Sequence, residues 1–101
     1  MAIAEVSVIP VGTGSPSVSR HVARAIGVLQ HEKGVRYELT SMGTIIEGDL
    51  DSILQAVKKM HQATFDEGVV RVVTTIKIDD RRDKPLTPQG KIESVLRELE
   101  S

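Results

Sequence analysis

The chain has 101 residues, of which 40% are hydrophobic and 27% charged, the composition of one globular domain spanning residues 1–101. A formal net charge of −1 argues against nucleic acid, and the absence of Cys excludes disulfides, thiolate nucleophiles and zinc–thiolate sites. No long apolar run or basic leader is present, so the expectation is a cytoplasmic protein without a membrane span.

Ala2–Val11 alternates as a strand, with Ala4, Val6 and Val8 on one side and Ile3, Glu5, Ser7 and Ile9 on the other. Gly12–Pro16 is a loop, and Ser15 or Ser17 is the candidate N-cap of a helix over Ser17–Lys33. Val18, Val22, Ala25, Ile26 and Leu29 make its apolar stripe, with His31 and Lys33 in the last turn before Gly34. A hairpin follows, with strands Arg36–Ser41 and Thr44–Glu47 reversing at Met42-Gly43.

Asp49–Phe65 is the second helix, capped by Asp49 or Asp51, with a stripe of Leu50, Ile53, Leu54, Val57 and Met60 or His61. Val69–Ile78 is the most β-prone stretch, and its two near-apolar faces predict a central strand covered on both sides. After the charged loop 79–85, Thr87-Pro88 opens a third helix with Ile92, Val95, Leu96 and Leu99 on one face. The order β-α-β-β-α-β plus a terminal helix is the split βαβ plan, an α+β antiparallel sheet with two helices on one face. The uncovered face would carry Ile3, Ile9, Ile45, Val73 and Leu39, which predicts that a second copy covers it. On that reading Val73→Asp disrupts assembly or folding.

Chemistry-bearing motifs are few. His21 and His31 lie ten apart, not at chelating spacing, and read as surface or helix-end residues. No nucleophile elbow is present, and Gly12-Thr13-Gly14-Ser15 lacks the Lys-Ser/Thr of a phosphate-binding loop. RNA-recognition domains share this strand order but stack bases on aromatics, which AIAEVSVIPV and TIIEGD lack. Acylphosphatase chemistry needs an Arg in the loop after the first strand, and Gly12–Pro16 has none. The residue that stands out is Glu47, a carboxylate in an apolar strand close to Thr44. It is solvated on a half-exposed face, paired with Arg71 or Lys77, or a ligand site.

IPVGTGSPSVSRHVA, YELTSMGTIIEGDLDSIL and RVVTTIKIDDRRDKP together resemble the small YkoF-like thiamine-binding proteins over essentially the whole chain. The most specific parts are Met42-Gly43-Thr44 with Ile46-Glu47-Gly48, and Arg71-Val72 with Ile76-Lys77-Ile78-Asp79-x-Arg81. The resemblance implies a ferredoxin-like fold and homodimers joined through their sheets, often as dimers of dimers. It also implies binding of thiamine or its hydroxymethylpyrimidine part without turnover, and no cofactor. Glu47 would accept from the exocyclic amine, Thr44 and Ser7 would hydrogen-bond, and Met42 and Ile45 would sandwich the ring. Gly43 and Tyr37 complete the expected site. The alternative is a structural or regulatory oligomer that contacts another protein and holds no small molecule.

Overall fold

A computed structural model describes residues 1–15, 18–65 and 68–101. The elements run β1 (Ala2–Pro10), α1 (Ser19–Leu29), β2 (Val35–Thr40), β3 (Gly43–Gly48), α2 (Leu50–Thr64), β4 (Val72–Asp80) and α3 (Pro88–Leu99). The strands form one antiparallel sheet in the order β2-β3-β1-β4, the arrangement expected of a ferredoxin-like α+β fold with an added C-terminal helix.

Alternation in β1 decides where the core sits. Ala2, Ala4, Val6 and Val8 are buried under α1 and α2, and they meet Ile46, Ala25, Leu29, Ile53 and Met60 in one cluster. Small residues on the central strand let the helices approach, while Leu29, Ile46, Ile53 and Met60 fill the space. Each of these large side chains contributes about 1.5–3 kcal/mol on burial.

The first core helix is shorter than the sequence pattern, and the second starts where the pattern puts it. α1 ends at Leu29, so His31 and Lys33 lie in the turn beyond it, where Gly34 (φ 88°) leads into β2. Its N-terminal residue Val18 provides no side-chain cap, and the candidate cap Ser17 lies outside the described residues. His21 is buried with Ala25 and Leu29, while Val22 and Ile26 are only half-buried. The stripe is thus rotated toward His21, which is not the surface residue its spacing suggested. α2 begins as expected: Asp49 accepts from the Ser52 N–H at 2.9 Å and from its hydroxyl at 2.7 Å, which holds the carboxyl below its ordinary range. In the last turns Met60 takes the core position, and half-buried His61 bonds Thr74 Oγ1 through Nδ1 at 2.6 Å.

Two expectations about the sheet fail. β4 lies at an edge, not in the centre, because β1 pairs with both β3 and β4. Its β-branched residues serve pairing and one covered face; Val73, Thr75 and Lys77 on the other face are exposed. The hairpin reverses at Ser41-Met42, and Gly43 belongs to β3 opposite Thr40. Thr40 Oγ1 holds the turn by donating to Gly43 O at 2.8 Å and accepting from the Met42 N–H at 3.3 Å.

Candidate functional site

Register along β3 sorts the candidate residues by face. Thr44, Ile46 and Gly48 are buried toward the helices, whereas Gly43, Ile45 and Glu47 point to the uncovered face. Thr44, at 3% exposure, is therefore on the opposite side of the strand from Glu47, since residues three apart have opposite parity. Leu39 pairs with Thr44 and shares its side, so it too leaves the uncovered face.

Glu47 sits between Arg36 of β2 and Ile3 of β1. Its side chain is 13% exposed, and Arg36, 86% exposed, approaches only to 3.8 Å. That distance is an ion pair without a hydrogen bond. The expected rivals for its charge are elsewhere: Lys77 lies across from Glu5, and Arg71 precedes β4. An open cleft of about 880 Å³ surrounds Glu47, lined also by Arg36, Tyr37, Glu38, Ile45 and Gln89. It wraps the edge of β2, which is why Tyr37, of opposite parity, shares it with Glu47.

Ser7, Met42, Gly43 and Thr44 line a different cavity of about 290 Å³, between the hairpin tip and the N-terminal half of α1. Glu47 is four residue steps along β3 from Gly43, a span of about 13 Å. One pocket does not hold all six expected residues. Met42, at the turn, is almost fully exposed.

The register could have pointed to Arg36, because a reversal at Ser41-Met42 places it opposite Glu47. Gln89 carried no such signal. It reaches the cleft because Lys91 binds Asp79 on the uncovered face and holds the root of α3 there. The charged loop beside it is internally neutralised. Arg82 donates to Asp80, holding that carboxyl low, and Arg81 donates to Asp83, holding its carboxyl down to about 2.

The family described as "Thiamine-binding protein" matches residues 4–96. The chain belongs to that family. The UPF0045 protein YqgV of Bacillus subtilis (strain 168) is 48% identical over 103 residues, covering 99% of each chain. A crystal structure of a hypothetical protein from Methanocaldococcus jannaschii superposes with a TM-score of 0.85 at 42% identity, over 93% of this chain and 94% of that one. A putative thiamine biosynthesis/salvage protein from Thermotoga maritima shares the fold, with a TM-score of 0.72 at 23% identity over 93% and 97% of the two chains. No helix among the described residues is long and apolar enough to cross a membrane.

Proposed function

We propose that this chain is a non-catalytic, cytoplasmic carrier or sensor that binds thiamine or a hydroxymethylpyrimidine-like heterocycle in the Glu47 cleft. The observation that carries the reading is a mostly buried carboxylate whose only ion partner among the described residues stands off at 3.8 Å. Such a group keeps unused acceptor capacity, and an exocyclic amine supplies the matching donors. Ile45 offers an apolar contact beside it, and Tyr37 a hydroxyl and ring in the same cleft. Glu38 and Glu47 outnumber Arg36 at the rim, which suits a thiazolium cation. Ser7, Thr44, Met42 and Gly43, in the smaller cavity, are assigned no contact with the aminopyrimidine.

Calorimetric titration and thermal shift with thiamine and hydroxymethylpyrimidine test this directly. Ligand at a hundred times its Kd stabilises the native state by about 2.7 kcal/mol, an easily read rise in melting temperature. No heat and no shift with either compound would refute the reading. The competing reading, an oligomer that contacts another protein, draws on the exposed apolar surface.

Self-association, as a homodimer or a dimer of dimers, is part of the proposal. Ile9 and Val73 face each other in register on the uncovered sheet face, 48% and 45% exposed. Around them that face is more polar than the sequence suggested, because Glu5, Ser7, Thr75 and Lys77 share it. Val73→Asp is expected to reduce the particle mass in light scattering by placing a charge in the seam. An unchanged mass removes this patch from the assembly.

A further inference from the structure

The most exposed apolar surface belongs to α3, not to the sheet. Ile92, Val95, Leu96 and Leu99 fall on one helical face, yet their exposures run from 52% to 76%. Every residue of α3 from Lys91 onward is exposed. Among the described residues the one ion pair that ties the helix to the body is at its root, between Lys91 and Asp79. Molecular dimensions show the same projection. The radius of gyration is 15.2 Å, where a compact chain of this length has about 13 Å.

Surface area puts a size on what is missing. A compact protein of 11.0 kDa exposes about 5,600 Å². This chain exposes 6985 Å², an excess of roughly 1,400 Å² over that scaling. A stable pairwise interface takes about 800 Å² from each partner, so the excess suffices for one.

The pattern on α3 is complementary to itself. If two copies meet antiparallel about a two-fold between Val95 and Leu96, Ile92 of one meets Leu99 of the other, and Val95 meets Leu96. The same register sets Lys91 against Glu100. Every stripe residue thereby finds an apolar partner; the same register sets Glu93 against Glu98, so the match is apolar and not electrostatic. A second copy supplies a stripe of that spacing.

Position makes this contact more than an oligomer seam. Pro88 and Gln89 line the Glu47 cleft, and Ile92 is one helical turn beyond Gln89. Antiparallel pairing therefore brings the last turn of the second copy, Leu99 and Glu100, against the mouth of that cleft. There it excludes water from the Glu47 carboxylate and adds a second carboxylate toward a cationic ligand. We propose that α3 pairs antiparallel with α3 of a second copy and that this pairing closes the Glu47 cleft, so that ligand binding and self-association are coupled. The coupling rests on the thiamine-like reading of the site; the helix pairing does not. Coupling of this kind is reciprocal: whatever factor pairing adds to ligand affinity, ligand adds to pairing.

The test uses Leu96→Asp and, independently, Leu99→Asp, both at exposed positions outside the core and outside the cleft lining. Circular dichroism and melting temperature report that each variant is folded. Light scattering at matched micromolar concentration is expected to show half the wild-type particle mass for each variant. Thiamine titration is expected to show affinity at least tenfold weaker than wild type, and saturating thiamine should tighten wild-type self-association by the same factor. A wild-type particle of 11.0 kDa with thiamine present, or variants that keep the wild-type mass, overturns the pairing. Variants that dissociate yet bind thiamine as tightly as wild type overturn the coupling. A wild type that binds no thiamine overturns the ligand reading and the coupling with it, while particle mass alone still decides the pairing.

Discussion

Replacing Glu47 by Gln is expected to weaken thiamine binding by about ten- to a hundredfold while leaving the melting temperature nearly unchanged. The side chain faces away from the helices, so the core of Ile46, Ile53 and Met60 does not feel the change. Its contact with Arg36 is 3.8 Å long, and Arg36 is almost wholly in solvent, so the ion pair contributes no more than about 1 kcal/mol. The amide presents one acceptor and two donors where two acceptors stood. Against a ligand amine, that exchanges a charge-assisted bond for a weaker one or a donor–donor clash. A lost bond of this kind is worth roughly 1.5–3 kcal/mol, which sets the expected factor in affinity. A structural ion pair gives the opposite pattern, a lower melting temperature with thiamine affinity intact. Titration of the two proteins side by side separates them, and equal affinities remove Glu47 from the site.

How much of this was legible without coordinates depends on the range of the signal involved. Short-range periodicity placed the elements, because Ala4-Val6-Val8 and Ile53-Val57-Met60 each declare a face within a few residues. The alternation that puts Ile45 on the uncovered face carries Glu47, two residues on, to the same side. Lateral position was not legible. Val72–Asp80 has the richest β-branched content yet lies at an edge, because pairing partners are chosen by the chain path and not by propensity. The one-residue difference at the hairpin matters more for the site. Reversal at Ser41-Met42, held by the Thr40 hydroxyl, sets Arg36 beside Glu47, a neighbour that a turn at Met42-Gly43 would not give. Closeness in sequence groups Thr44 with Glu47, and strand parity separates them. Gln89 belongs to the cleft only because a side-chain pair well downstream of the hairpin, Asp79 with Lys91, fixes the root of the third helix beside the uncovered face. No local pattern encodes that.

Gly48→Ala is expected to lower stability by about 1–3 kcal/mol, in the range of an overpacked core position. The reason is backbone crowding, not backbone conformation. An ideal Cβ at Gly48 would stand 2.6 Å from the carbonyl oxygen of Gly34 and 3.3 Å from Cγ1 of Val35. The nearer atom is main chain in the turn that feeds β2, so no side-chain rotation relieves the contact. Either the β2–β3 ladder opens at Val35 and Gly48, or the turn after α1 moves out. Both motions displace the segment Gln30–Val35, one wall of the cleft, relative to Glu47 beside the substitution. Thiamine affinity should therefore fall together with stability, unlike in Glu47→Gln. For a chain of this size, each kcal/mol corresponds to about 4–8 °C in melting temperature. Gly27→Ala is the matched control, since nothing lies within 4 Å of its Cβ and it sits inside α1. There Ala should stabilise by about 0.5–1 kcal/mol through helix propensity and leave binding unaltered. Opposite shifts for the two alanines are the expected result of thermal melts on both. A Gly48→Ala protein that melts with the wild type would show that the approach of Gly34 to β3 is not what holds this wall of the cleft in place.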